Sequence, residues 1–282
     1  MVEILEARVL NPQITLLKLK AERIAKKVQP GQFVILHQDE KAERIPLTIA
    51  DSDPQEGTIT VIVQAAGEST KRLCALKTGD SIRDVVGPLG QATDFGEAQN
   101  ICVIGGGVGC AIAYPSAKAC HQRGAHVDLI AGFKNESLVI LKEEMAAIAD
   151  EFTLISDDGS TGKQGFVTDA LKEKLEQGKK YDLVIAIGPI IMMKMVCKVT
   201  EAAGIKTLVS LNPIMIDGTG MCGCCRVTVG GEVKFACVDG PDFDGHQVDF
   251  DEVIARNATY REFEARRKQD HLCRLGGGAM NG

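Results

Sequence analysis

The chain has 282 residues, enough for two or three domains, and its 45% hydrophobic and 25% charged content is ordinary for a soluble globular protein. A net charge of -6 argues against a nucleic-acid partner, whose phosphates must be neutralised, and 4% aromatics without tryptophan argue against extended base-stacking surfaces. No apolar run reaches membrane-spanning length and the opening MVEILEARVLNPQ alternates and carries charge early, so neither a membrane span nor a signal peptide is expected.

Residues 2–95 read as strands. EILEARVL, ITLLKLKA, GQFVILHQ, GTITVIVQ and DSIRDVVGPLG alternate or run apolar, with β-branched residues inside and turn residues between, which predicts a small antiparallel barrel. STKRLCALKTGD predicts a short helix capped by Ser69 or Thr70, with Leu73, Cys74 and Leu76 on its apolar face. Three loops stand out: Pro30 to Phe33, the apolar segment Arg44-Ile45-Pro46-Leu47-Thr48, and the glycine turn Gly67 to Lys71, which runs into a helix N-terminus and so offers an anion site. Each taken alone also suits a plain hairpin turn.

From residue 98 the texture changes to strand–helix alternation. ICVIG, HVDLIAGF, EFTLISDD, DLVIAIGP and KTLVSLN are buried strands separated by helical segments, so an α/β doubly wound parallel sheet is expected. Gly105, Gly106, Gly107, Val108 and Gly109 form a loop after the first strand, where backbone amides and a helix N-terminus can approach a pyrophosphate. The other strand ends at the ligand-binding edge carry Gly132 and Phe133, Asp157 and Asp158, and Gly188 and Pro189 leading to Met192 and Met193. Any single methionine there equally suits helix packing. A 2′-phosphate wants arginines, and none stands between 124 and 225, so NAD is favoured over NADP.

The ten cysteines fall as four between 222 and 237 and six scattered singly, which predicts buried free thiols and a reducing, cytoplasmic setting. The four stand in Asp217-x4-Cys222-x2-Cys225-x11-Cys237, with Cys224 between. That is the plant-type [2Fe–2S] spacing with aspartate in place of the first cysteine. Glycines at 218, 220 and 223 let the backbone bend sharply and aim amides at cluster sulfurs. Cys222 and Cys225 alone also suit a redox disulfide or half a zinc site completed by Cys237 and His246. Cys224 is left out of the ligand set, because adjacent residues rarely both reach one small cluster. RVTV and EVKFACV form a hairpin whose second strand delivers Cys237. A charged helical tail follows, with Val253, Ile254 and Phe263 as a thin apolar stripe that suits docking or a solvated helix alike, and LGGGAMNG closes as a disordered end. The division is 1–97 barrel, 98–211 nucleotide domain, 212–245 cluster loop and hairpin, and 246–282 tail.

The RIPLT, GPLG and glycine-loop segments together resemble the ferredoxin–NADP reductase superfamily. The resemblance implies an FAD-binding barrel in which Thr48 supplies a catalytic hydroxyl near the flavin, Arg44 and the helix start at Gly67, Ser69 and Thr70 meet the pyrophosphate, and Pro46, Leu47, Val63, Gln64 and Gly87 line the cofactor. RIPLT is one residue longer than the family's R-x-x-S/T, which shifts Arg44. In the nucleotide domain the glycine loop, Gly132, Phe133, Asp158, Gly188, Pro189 and Met192 are implied to bind NAD(H). Barrel, nucleotide domain and cluster loop in that order resemble the electron-transfer subunit of dihydroorotate dehydrogenase. RIPLTIAD, GGGVG, DDGSTG and Asp-x4-Cys-x2-Cys are more similar still to the small subunit of NADH-dependent reduced ferredoxin:NADP+ oxidoreductase, also named sulfide dehydrogenase beta subunit. This implies FAD, NAD(H) and a [2Fe–2S] cluster held by Asp217, Cys222, Cys225 and Cys237. It also implies a heterodimer with a larger flavin and [4Fe–4S] subunit, through which ferredoxin and NADP(H) exchange electrons by bifurcation. The alternatives are a dihydroorotate dehydrogenase subunit, which has cysteine where Asp217 stands, and a non-catalytic flavin module with a zinc knuckle.

Overall fold

A computed structural model of the chain describes residues 1–40 and 42–259. Phe263 and the terminal LGGGAMNG segment lie outside the described residues. The first part carries β1 (Val2–Asn11), β2 (Ile14–Lys20), α1 (Glu22–Ala25), β3 (Phe33–His37), β4 (Arg44–Asp53), β5 (Thr58–Gln64), α2 (Glu68–Cys74), β6 (Ser81–Ile82) and β7 (Asp84–Leu89). The strands order as β6-β1-β2-β5-β4-β3-β7. Only Arg83 separates β6 from β7, yet β6 pairs with β1 and β7 with β3. One bent segment thus joins the two ends of the sheet, and the barrel closes. Alternation sends Leu17, Val34, Val61 and Val63 into its interior, each fully buried.

Two local expectations differ. RIPLT is not a loop: it forms the first half of β4, with Val34 paired to Leu47 and Ile35 to Pro46. A proline is tolerated there because a strand residue can turn its N side away from the ladder. The cap of α2 is Gly67, not Ser69 or Thr70. Thr70 lies one turn in and its hydroxyl accepts from the Ala66 and Gly67 amides at 3.0 and 2.9 Å, while Ser69 donates to Glu43 at 2.9 Å.

The second part alternates β8 (Asn100–Gly106), α3 (Gly109–Gln122), β9 (His126–Phe133), α4 (Lys142–Ile148), β10 (Glu151–Ser156), α5 (Val167–Glu176), β11 (Leu183–Ile187), α6 (Ile190–Ala202) and β12 (Thr207–Ser210). The parallel order is β10-β9-β8-β11-β12. The chain starts in the middle, so the direction of winding reverses between β8 and β11, and a crevice opens outside their carboxyl ends.

The third part holds the hairpin β13 (Arg226–Val229) and β14 (Glu232–Phe235), then β15 (Asp242–Asp244) and α7 (Phe250–Ala258). β15 adds antiparallel to β12, so the nucleotide sheet gains a sixth strand from the chain beyond the cluster loop. Cys237 does not sit on a strand. The Asp239 carboxylate accepts the Phe235 amide at 2.6 Å and turns the chain, which places Cys237 in that turn. The three parts share their apolar cores: Ile14, Leu16, Ala50 and Ile62 of the barrel wall pack with α3 residues, and Phe33 and Ile35 pack with the nucleotide sheet and with Cys225, Val227 and Cys237. Burial of this apolar surface holds the parts together.

Candidate redox site between barrel, sheet and cluster loop

β4 alternates, so Ile45 and Leu47 join the barrel core while Arg44, Pro46 and Thr48 belong to the opposite face. Thr48 lies across from Phe33, and Phe33 lies across from Leu89 of β7. Val63 is wholly buried inside the barrel, so only its backbone is free to line a ligand, and Gln64 is half-buried at the end of β5. GPLG is not a turn but the end of β7, and it presses on β3: a Cβ at Gly87 would come within 2.7 Å of Val34 Cγ1, and one at Gly90, just past the strand, within 2.9 Å of Phe33 Cε1 and 3.0 Å of Gly240 O.

At the crevice the glycines are required by close approach. A Cβ at Gly106 would collide with Met192 Sδ, one at Gly109 with the Ile187 carbonyl, and one at Gly188 would lie 3.1 Å from Gly106 Cα. Gly107 adopts φ +57 and donates to Gly132 O at 2.8 Å, which ties the loop to the end of β9. α3 begins at Gly109 without a side-chain cap, and the Cys110 and Ala111 amides of its first turn donate to the Gly107 and Val108 carbonyls at 3.1 and 3.0 Å, so the positive end of the helix points at the crevice. Pro189 is exposed beside this loop, and Phe133 is buried with its carbonyl accepting the Asp157 amide at 3.0 Å. Asp158 is exposed at the end of β10, and the Ser160 hydroxyl, donating at 2.6 Å, holds its carboxyl below the usual range. The Glu136 amide donates to the same hydroxyl, so the loops after β9 and β10 meet at Ser160.

The cluster loop lies on the barrel. Gly218 adopts φ +79, and a Cβ there would stand 2.6 Å from Leu89 Cδ1 and 2.8 Å from Ile35 Cδ1. Cys225 and Cys237 are buried side by side, with the Cys237 amide donating to Cys225 Sγ at 3.4 Å. Burial pushes the Cys237 thiol up to about 12, against the Gly220 amide that points at it. Cys222 is exposed and Cys224 half-buried, and the Cys222 side chain beside Cys224 raises that thiol. Both oxygens of Asp217 accept amides, from Thr219 at 2.8 Å and Cys222 at 2.9 Å, and the Thr219 amide foremost keeps its carboxyl low. Among the described residues no three His, Cys, Asp or Glu side chains converge at ligating distance. The donor set still fits an iron–sulfur cluster: thiols and one carboxylate on a loop of positive-φ glycines, with two amides aimed at the buried sulfurs. The zinc alternative loses its histidine, because His246 Nε2 contacts Thr200 Oγ1 at 3.0 Å on α6.

Some of the site carries no sequence signal. Asp242 of β15 accepts the Thr93 hydroxyl at 2.5 Å, across 149 residues, and Arg256 of α7 donates to the Cys224 carbonyl at 3.1 Å.

Residues 212–249 match the family model for the iron-sulfur cluster binding domain of dihydroorotate dehydrogenase B, and 103–198 match that for the oxidoreductase NAD-binding domain. A dihydroorotate dehydrogenase B (NAD(+)) electron transfer subunit homolog of Thermotoga maritima is 48% identical, over 86% of this chain and 85% of the relative. The electron transfer subunit of Shouchella clausii is 32% identical, over 80% and 89%. The chain belongs to the dihydroorotate dehydrogenase B electron-transfer subunit family. A solved structure from work on flavin-based electron bifurcation by NADH-dependent reduced ferredoxin-NADP oxidoreductase superposes with TM-score 0.91 at 42% identity, covering 96% of this chain and 98% of the other. This electron-transfer subunit therefore has the ferredoxin-reductase-like fold: a curled antiparallel barrel, an NAD-binding domain and a C-terminal iron–sulfur binding domain, as the barrel strands, glycine loop and cysteine spacing predict. It is an oxidoreductase subunit. None of its described helices is long and apolar enough to cross a membrane.

Proposed function

We propose that the chain is the small, electron-transfer flavoprotein subunit of an electron-bifurcating NADH-dependent ferredoxin:NADP+ oxidoreductase, binding FAD, NAD(H) and a [2Fe–2S] cluster. The observation that carries this reading is the seat of Gly218 on Ile35, the strand partner of Pro46, and on Leu89, the partner of Phe33, which itself pairs with Thr48: the cluster loop rests on the barrel wall that presents RIPLT. A flavin and a cluster held there would supply hydride exchange with NAD(H) and one-electron exchange between the two centres.

The chain's own residues supply position. Thr48 offers its hydroxyl at the flavin ring, with Pro46, Leu47 and the backbone at Val63 and Gln64 beside it. Arg44 offers a cation, and Gly67, Ser69 and Thr70 the turn, for the pyrophosphate, with Gly87 permitting the close approach of β7 to β3. Gly105 to Gly109 give close backbone approach and the positive end of α3 to the dinucleotide. Met192 and Pro189, held over Gly106 and Gly188, flank the nicotinamide end, while Gly132, Phe133 and Asp158 face the ribose end. Asp217, Cys222, Cys225 and Cys237 hold the cluster, Asp217 giving up its two amides to do so. The domain division at 97, 211 and 245, a cytoplasmic setting, and a larger flavin and [4Fe–4S] partner reached in turn by ferredoxin and NADP(H) belong to the same reading.

The deciding experiment is anaerobic purification followed by absorption, metal and flavin analysis. Flavin bands with broad cluster absorption and about two irons per chain support it; colourless or zinc-only protein sinks it. Asp217→Cys keeps a cluster with a shifted EPR signal, and an unchanged signal removes Asp217 from the ligand set. Identification of the co-purifying polypeptide separates the bifurcating complex from a dihydroorotate-oxidising one.

A further inference from the structure

Arg256 lies nineteen positions beyond Cys237, outside every motif, yet it reaches the turn between Cys222 and Cys225. α7 is held so that it does. Asp249 caps the helix, its Oδ1 accepting the Glu252 amide at 3.0 Å. Asp249, Glu252, Val253 and Arg256 share one face by their three- and four-residue spacing. That face is fastened to the hairpin: the Asp249 amide donates to Thr228 O at 2.9 Å, the Glu252 carboxylate accepts the Thr228 amide at 3.0 Å, and Val253 is buried. Lys194 of α6 pairs with Asp251 at 2.6 Å and fixes the helix from its other side. Arg256 Nη2 then donates to the carbonyl of Cys224, the peptide whose nitrogen belongs to Cys225.

We propose that Arg256 is a positioning residue that raises the reduction potential of the metal centre at Asp217–Cys237; this rests on reading that loop as a cluster site. One-electron reduction adds a negative charge to a cluster held by anionic ligands. A fixed cation nearby stabilises the reduced form more than the oxidised one. A guanidinium suits the task because it stays charged at every working pH and its planar fork is set by a carbonyl. Its effect makes the cluster the readier acceptor of electrons arriving from the barrel side.

The test is a redox titration followed by EPR on cluster-loaded holoprotein, with iron and flavin measured on each sample, for wild type, Arg256→Gln and Arg256→Lys. Arg256→Gln, with iron and flavin unchanged, shifts the reduction equilibrium about tenfold toward the oxidised cluster, which is about 59 mV for one electron. Arg256→Lys, keeping the charge, stays within about threefold of wild type. An Arg256→Gln potential equal to wild type overturns the proposal, and so does an equal fall in both variants. An Arg256→Gln protein that keeps flavin but holds no iron makes the residue structural only and overturns it as well. If Arg256→Gln does not fold, Arg256→Lys decides alone, a tenfold fall overturning the role of charge. Iron-free wild type instead sinks the cluster reading, so the two failures are distinguishable.

Discussion

Thr48 and Asp158 are the side chains on which the proposed chemistry and selectivity would turn. Thr48 sits mid-strand opposite Phe33, so its hydroxyl is placed by the ladder rather than by a mobile loop. Thr48→Ala leaves strand pairing intact; stopped-flow reduction by NADH should slow about tenfold to hundredfold while bound FAD is unchanged, as loss of one oriented hydrogen-bonding group typically does. Asp158 is exposed and held ionised by the Ser160 hydroxyl and amide, a poor neighbour for a 2′-phosphate. Asp158→Ser should raise the NADPH to NADH ratio of kcat/KM by about tenfold, on the scale of removing one adverse charge. Equal ratios for both proteins would place the ribose elsewhere.

At the scale of elements, the cluster loop is a docked segment, not a free one. Its seat on β3 and β7 needs a residue without Cβ at Gly218, both for φ +79 and for the 2.6 Å gap to Leu89. Gly218→Val should cost about 1–3 kcal/mol from backbone strain, with a further loss from the displaced contact, read as a lower Tm and reduced iron content. A Tm and iron content equal to wild type would show that the loop does not dock there. The hairpin is legible from its Gly230-Gly231 turn, but the turn that carries Cys237 depends on Asp239 folding back to the Phe235 amide, and periodicity does not register that contact.

For the whole molecule the junction to watch is Asp242. Its strand binds the cluster part to β12, its Oδ2 takes the Thr93 hydroxyl from the barrel linker, and its Oδ1 is buried with no hydrogen-bond partner in ordinary geometry among the described residues. Burial foremost raises its carboxyl above the usual range. The folded state therefore binds this proton more tightly than the unfolded state. The stability it contributes is complete below the ordinary carboxylate range and is lost as pH rises through the raised value. Asp242→Asn removes that loss: its Tm should exceed wild type at pH 8, with the gap closing toward pH 4, and a gap independent of pH would contradict the assignment. The sequence alone determined the barrel strands, the parallel sheet, the glycine loop and the spacing of Asp217, Cys222, Cys225 and Cys237, because alternation, glycine φ and short ligand loops are constraints between near neighbours. Only the tertiary structure decided that one segment closes the barrel, that β15 joins the nucleotide sheet, that His246 is taken by Thr200 and that Arg256 meets the cysteine turn. Those pairings are set by how three apolar surfaces pack against one another, and no local pattern encodes the far side of such a contact.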